Sequence, residues 1–119
     1  MPALNFFLRF AGAVERHEKR QTIQRSLARP IREGDELALY TGQRTRSCRL
    51  LGRATCIRVV DVELYEGGPI VGGVHVEPDT FARSDGFRDY REMVQWFKNT
   101  YGLPNGCGGA FRGVLIQWA

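Results

Sequence analysis

The order of the predicted elements favours an α+β domain built on a mixed or antiparallel β-barrel. A strand, a short helix, a run of strands, one longer helix and a final strand follow one another along the 119 residues. A parallel α/β sheet needs strands and helices that alternate, whereas several strands here follow each other directly. The pattern therefore predicts a barrel with a short N-terminal helix and a longer C-terminal helix.

A single domain over residues 1–119 is expected from the length and composition of the chain. Its residues are 43% hydrophobic and 25% charged, as is usual for a globular domain. No apolar run approaches the roughly 20 residues that span a bilayer. The amino terminus shows no basic leader followed by an apolar region, so we expect a cytoplasmic protein without a membrane partner.

The first third of the chain predicts two strands around a short helix. Leu4–Phe10 is dense in aromatic residues and predicts a strand, and Ala11–Glu18 has helical spacing. The β-branched pair Thr22-Ile23 indicates that the chain leaves this helix near Lys19 and enters another strand. A basic loop over Ser26–Glu33 follows.

The middle of the chain predicts the main strands of the sheet. Glu36–Tyr40 alternates polar and apolar residues, and Ala54–Leu64 is a longer β-rich run. Alternation slips at Val59-Val60, where a bulge is expected. Gly72-Gly73 interrupts the next strand, Ile70–Val76, and predicts a hairpin.

The last third predicts the longest helix and a closing strand. Pro78-Asp79 opens a short helical turn, and the longer helix runs from about Arg88 to Tyr101 and ends at Gly102. Leu103–Gly109 predicts a loop and Ala110–Trp118 the final strand. The helix has an apolar stripe that we interpret as core, made of Phe87, Tyr90, Met93, Val94, Phe97 and Tyr101.

Three cysteines, Cys48, Cys56 and Cys107, are an odd number at spacings that fit neither a C-x-x-C site nor a disulfide framework. They predict free buried thiols. His17 and His75 are too isolated to complete a zinc site, so we expect neither a metal nor a cofactor.

Positive charge is concentrated in the first half of the sequence. Residues 1–58 hold 12 of the 17 basic and 5 of the 13 acidic residues, a net charge of +7, whereas the remainder has −3. Eleven of these twelve cations are arginines, whose planar guanidinium suits phosphate and stacks on bases. This distribution predicts a nucleic acid or nucleotide-like partner, with a merely solubilising surface as the alternative.

The polar stretch His17–Arg25 is the candidate functional site, because it lies between two apolar segments. Residues three apart on a straight strand point to opposite faces, so Lys19 and Thr22 can meet only where a helix turns into a strand. If they meet, the Thr22 hydroxyl has a base or an electrophile beside it. The alternative is a solvated basic turn followed by a strand.

The chain resembles an ASCH domain, a PUA-like module associated with RNA, in residues that match in order along its length. These are Phe6-Phe7-x-Arg9-Phe10, Lys19-x-x-Thr22-Ile23, Gly34-Asp35, Tyr40-Thr41-Gly42-x-Arg44-Thr45, Asp85-Gly86-Phe87 and Gly113-Val114-Leu115-Ile116-x-Trp118. The G-x-K-x-x-T-x-R motif of the family matches at Lys19 and Thr22. It departs at His17, where the family has Gly, and at Gln24, where the family has Arg. The resemblance implies a PUA-like pseudobarrel.

Within that family, the first 25 residues resemble a small bacterial branch of N4-acetylcytidine amidohydrolases with a catalytic Lys, Thr and Glu. The resemblance carries these roles to Lys19, Thr22 and Asp85, where Asp is one methylene shorter than Glu. Thr22 would then attack the acetyl group and Lys19 would accept its proton, provided that burial or nearby arginines lower the lysine pKa. An ion pair between Asp85 and Lys19 would instead give a site that binds without reacting.

The sequence is also compatible with two other functions. The chain is alternatively a non-catalytic module for RNA or nucleotides, and cleavage of RNA is a third class. The sequence gives no oligomeric state. The residues expected to bind the substrate are Arg9, Gln24, Arg25, Arg44 and Arg46.

Overall fold

The computed structural model describes residues 1–27, 29–102 and 111–119, and these contain seven strands and three helices. In chain order they are β1 (Ala3–Phe6), α1 (Leu8–Glu15), β2 (Gln21–Gln24), β3 (Glu36–Thr41), β4 (Arg49–Tyr65), β5 (Gly68–Val71), β6 (Val74–His75), α2 (Pro78–Ser84), α3 (Tyr90–Tyr101) and β7 (Phe111–Trp118). The predicted loop Leu103–Gly109, Cys107 within it, and Ala110 lie outside the described residues.

The long strand β4 joins two parts of one sheet. Its residues Arg49–Thr55 pair antiparallel with β3, and Cys56–Leu64 pair antiparallel with β7. Next to β3 lies the parallel strand β1, next to β7 lies the antiparallel strand β2, and the β5–β6 hairpin extends from the end of β4. The predicted mixed α+β architecture is therefore confirmed, although within the described ranges no pairing joins β1 to β2 to close the barrel.

The N-terminal boundaries differ from the prediction. The strand predicted over Leu4–Phe10 ends at Phe6, and the helix predicted over Ala11–Glu18 runs from Leu8 to Glu15. Aromatic residues favour strands, but Phe10 belongs to the helix, because there its ring packs against those of Phe87 and Trp96 at centroid distances of 5.3 and 5.6 Å. Long-range packing overrides the local preference.

β4 has bulges at Leu51 and Ile57, whereas Val59 and Val60, where a bulge was predicted, pair regularly with Ile116 and Leu115. Cys56 pairs with Trp118 and Arg58 with Gln117, so Ile57 is the extra residue, and it is exposed. The bulge at Ile57 lies where β4 stops pairing with β3 and begins to pair with β7. This change of partner requires a local change of strand direction.

The predicted C-terminal end of α3 is confirmed, whereas the helix starts at Tyr90, two residues after the predicted Arg88. Asp89 caps its N-terminus by accepting a hydrogen bond from the Glu92 N–H at 2.8 Å, and Gly102 ends it in the left-handed conformation with φ of 62°. On its inner face Met93 and Phe97 are buried, and the Phe97 ring lies 4.7 Å from that of Phe111. These contacts fix α3 against β7.

Of the two described cysteines, Cys56 is buried, as predicted, and Cys48 is exposed, contrary to the prediction. Cys48 lies in the turn between β3 and β4, where the side chains of a polar loop reach solvent. None of the helices in the described part of the chain is long and apolar enough to cross a membrane.

The turn from α1 to β2 depends on a left-handed residue, His17, with φ of 61°. After it, the N–H groups of Glu18 and Lys19 both donate to the Ala13 carbonyl, at 2.9 and 3.1 Å. This reversal brings the buried Lys19 side chain against the Phe10 ring of α1. A side chain with a Cβ costs roughly 1–2 kcal/mol in this conformation, a cost that glycine does not have.

We expect His17→Gly to raise the free energy of unfolding by about 0.5–1 kcal/mol, because glycine adopts the left-handed conformation without strain but loses more entropy on folding. Urea denaturation measures the change. His17→Ala keeps the Cβ and should bring no gain. An equal gain in both variants would show that the imidazole, and not the backbone, is the source of the strain.

Candidate active site

A cavity of about 950 Å³ lies among β1, β2, the β3–β4 turn and the second half of α3, which contributes Trp96 and Tyr101. Lys19, Thr22 and Asp85 all line it. Asp85 follows α2 and lies 66 residues after Lys19 in the chain, so the fold alone brings the two together. The three predicted catalytic residues thus share one cavity, while their roles stay predictions.

Lys19 is buried against the turn that carries Asp85. Its side chain is 3% exposed, and its Nζ donates to the backbone carbonyl of Asp85 at 2.5 Å. The same Nζ lies 3.4 Å from Asp85 Oδ1 and 4.8 Å from the centroid of the Phe10 ring. A carbonyl, a carboxylate and an aromatic face therefore replace the water that an exposed ammonium would have.

Burial acts on both members of this pair. It lowers the pKa of the Lys19 ammonium, a shift that Asp85 opposes and the positive charge of Arg9 reinforces. It raises the pKa of the Asp85 carboxyl, against the opposing effects of Lys19 and Gln21. Both shifts favour the uncharged forms, so the free-energy difference between ion pair and neutral pair is smaller than in water. The amine can therefore give up its proton more easily than a surface lysine.

Thr22 is held in β2 by its pairing with β7. It lies opposite Ile116, which is fully buried and anchors the strand. Gln24 is two residues further on the same face, and its Nε2 donates to Thr22 Oγ1 at 3.5 Å. Both side chains line the cavity. An amide N–H beside the hydroxyl can stabilise negative charge that develops there.

Two further residues, Gln21 and Gln117, complete the site and were not predicted from the sequence. Gln21 Nε2 donates to Asp85 Oδ1 at 3.3 Å, and Gln117 Nε2 donates to Gln21 Oε1 at 3.2 Å. The Gln21 amide turns its NH₂ group to Asp85 and its oxygen to Gln117, and both of its polar ends are therefore hydrogen-bonded. The chain of amides therefore fixes the orientation of the Asp85 carboxylate.

The fold places two of the five residues predicted to bind the substrate at the cavity and the other three elsewhere. Gln24 and Arg44 line the cavity, whereas Arg9, Arg25 and Arg46 do not. The Arg9 guanidinium lies 4.8 and 5.0 Å from the ring centroids of Phe10 and Phe87. The side chains of Arg25 and Arg46 are exposed.

Aromatic rings form much of the cavity wall. They belong to Phe6, Phe7, Phe10, Tyr40, Phe87, Trp96 and Tyr101. The interpretation of the α3 stripe as core is right for the buried Tyr90, Met93 and Phe97, but incomplete for Phe87 and Tyr101, which also face the cavity. Flat apolar walls with a few polar groups suit a planar ligand. In the described ranges, no three His, Cys, Asp or Glu residues are placed to hold a metal ion.

We expect Gln21→Leu to lower the free energy of unfolding by about 2 kcal/mol, because the buried Asp85 carboxylate loses a donor. Urea denaturation at neutral pH measures the loss. The matched control is Gln95→Leu, since Gln95 is exposed and its side chain hydrogen-bonds Asn99 across one helical turn. The effect of this substitution on the free energy of unfolding should stay within about 0.5 kcal/mol. Equal losses in the two variants would contradict a supporting role for Gln21.

The chain is similar in structure to a crystal structure of an ASCH protein from Zymomonas mobilis. The superposition has a TM-score of 0.59 at 12% sequence identity and covers 98% of this chain. This chain spans 65% of the length of that protein. No protein-family model and no curated protein matches the sequence. At this identity the likeness concerns the fold, and at that level it confirms the resemblance seen in the sequence. The chain therefore has the fold of an ASCH domain.

Proposed function

We propose that this protein binds a modified pyrimidine nucleoside, free or within RNA, and removes the acetyl group from N4-acetylcytidine. The observation that carries the proposal is the shared aromatic cavity of Lys19, Thr22 and Asp85. The ASCH fold and the motif match at Lys19 and Thr22 support it. A buried amine of lowered pKa lines the same cavity as a strand hydroxyl, and an amine and a hydroxyl together are a combination that activates a weak nucleophile.

The first half of the reaction transfers the acetyl group to the protein. Thr22 Oγ1 attacks the acetyl carbon while neutral Lys19 takes the hydroxyl proton. The oxyanion of the tetrahedral intermediate accepts a hydrogen bond from Gln24 Nε2, the amide that contacts Thr22 in the free site. The C–N bond then breaks, the proton on Lys19 passes to the exocyclic nitrogen, and cytidine leaves.

The second half restores the protein. Water attacks the acetyl ester on Thr22, Lys19 accepts the water proton, and the ester bond breaks. The threonine alkoxide recovers a proton from Lys19, and acetic acid leaves and releases its own proton to water. Asp85 positions the amine throughout and raises its pKa against the effect of burial, so that it can both accept and return a proton.

A non-catalytic binding module is the second candidate. It is favoured by the 3.4 Å approach of Lys19 Nζ to Asp85 Oδ1, because an ion pair that stays charged gives Thr22 no base. Gln24, Arg44 and the aromatic walls would then hold a nucleotide without changing it. The two candidates differ in whether cytidine is formed.

We expect purified protein to release cytidine from N4-acetylcytidine, and Thr22→Ala to abolish this release by removing the nucleophile. Lys19→Met should lower turnover by about 10²–10⁴-fold, the usual contribution of a general base. Chromatography of the nucleosides measures the product, and circular dichroism checks folding. Thr22→Ser retains the hydroxyl and should keep activity. Turnover that persists in both Thr22→Ala and Lys19→Met would exclude this mechanism, and absence of turnover with retained ligand binding would favour the binding module.

We expect kcat/KM to rise with pH at a pH below the ordinary pKa of lysine, because burial lowers the pKa of Lys19 and only its neutral form accepts a proton. In Asp85→Asn the rise should move to still lower pH, since the carboxylate raises the pKa of Lys19. The pH profile of kcat/KM in both proteins measures this displacement. A rise that stays in place or moves to higher pH would remove Lys19 as the base.

A further inference from the structure

A second concave surface adjoins the cavity at Trp96, whose indole lines both. This groove has a volume of about 480 Å³. Three arginines line it, Arg9 from α1, Arg88 from the turn before α3 and Arg91 from the first turn of α3. Gln95 and Asn99 add amide groups along the same side of the helix. Trp96 is the lining residue that the groove and the cavity share.

The charges in the groove are only partly compensated. Arg9 lies 3.2 Å from Glu92, and Arg88 lies 3.5 Å from Asp89. Arg91 is exposed and makes no ion pair within the described residues. The side chains of Arg9 and Arg88 remain 43% and 79% exposed, so guanidinium donors are available to an incoming anion. Arginine presents a planar fork that fits phosphate oxygens.

An exposed aromatic ring lies at the edge of the cavity next to this groove. Phe7 is 56% exposed, lines the cavity, and packs edge-on against Trp96 at a centroid distance of 5.3 Å. More than half of the Phe7 surface is therefore open to a ligand. Aromatic platforms beside a basic groove are how proteins hold the bases and the backbone of single strands.

We propose that the groove of Arg9, Arg88 and Arg91 binds phosphate groups of a single-stranded RNA whose modified pyrimidine occupies the cavity, with a neighbouring base stacked on Phe7. This inference rests on the proposed function, and it makes the substrate a nucleotide within a strand. A pyrimidine reaches an internal cavity only when it is unstacked, which favours single strands. An acidic peptide would satisfy the arginines but has no planar group for the aromatic cavity.

The test uses the full chain and an unmodified single-stranded RNA octamer, with affinity measured by fluorescence anisotropy over a range of salt concentrations. We expect the double variant Arg88→Gln/Arg91→Gln to weaken binding at least tenfold. The slope of log affinity against log salt should fall in magnitude by about 1.4, since each phosphate contact on a single strand contributes about 0.7. Circular dichroism confirms that the variant is folded.

The matched control is Arg53→Gln/Arg58→Gln, which removes the same charge from exposed positions of β4 that line neither concave surface. It should leave affinity within about threefold and the slope nearly unchanged. Equal losses in the two double variants, or no loss in the groove variant, would overturn the proposal. So would an octaglutamate peptide that competes as well as the RNA, because the groove would then select charge alone.

Phe7 offers a separate test of stacking. We expect Phe7→Leu to weaken binding of the octamer by about tenfold, within the range for loss of one stacked base, and Phe7→Tyr to retain it. Equal affinity of both variants and the natural chain would overturn the stacking arrangement. Because these measurements follow binding, a failure to release cytidine would count against the proposed hydrolysis alone, and groove variants that bind normally while cytidine is released would count against this inference alone.

Discussion

The contact between Lys19 and the Asp85 turn is the interaction on which the site depends. Two ionisable groups, 3% and 4% exposed, are buried together, and the loss of hydration of each is large. Removal of one partner from such a pair commonly costs 3–5 kcal/mol, because the other is left uncompensated. The pair therefore ties the turn after α1 to the turn after α2. It holds both at the cavity in one arrangement.

A hydrogen-bonded frame surrounds this pair. On one side the β2–β7 ladder sets the register of Thr22, and on the other the Gln117 and Gln21 amides hold the Asp85 carboxylate. Gly86, with φ of 95°, lets the chain turn where a Cβ would lie 3.0 Å from the Phe10 ring. Backbone close to an aromatic ring is possible there only because glycine has no side chain. The Phe10 ring and the turn that carries Asp85 are thus in close contact.

Much of this arrangement could be predicted from local sequence. The ends of α3 follow from Asp89 and Gly102, and the polar stretch around Lys19 and Thr22 lies between apolar segments that form the core. The start of α1 was mispredicted because the position of Phe10 is set by rings from a distant part of the chain. Gln21 and Gln117 could not be predicted, since their hydrogen bonds span 64 and 96 residues. Which of the arginine side chains line the cavity likewise depends on the folded structure and could not be predicted from the sequence.

The pairing of β2 has a consequence for synthesis on the ribosome. Among the described residues, its ladder partner is β7, which is formed by residues 111–118, so the strand that carries Thr22 has no neighbour until those residues emerge. A nascent chain that has exposed only its first hundred residues lacks the strand with which β2 pairs. The strand that carries Thr22 is therefore expected to take its place only after the last strand docks.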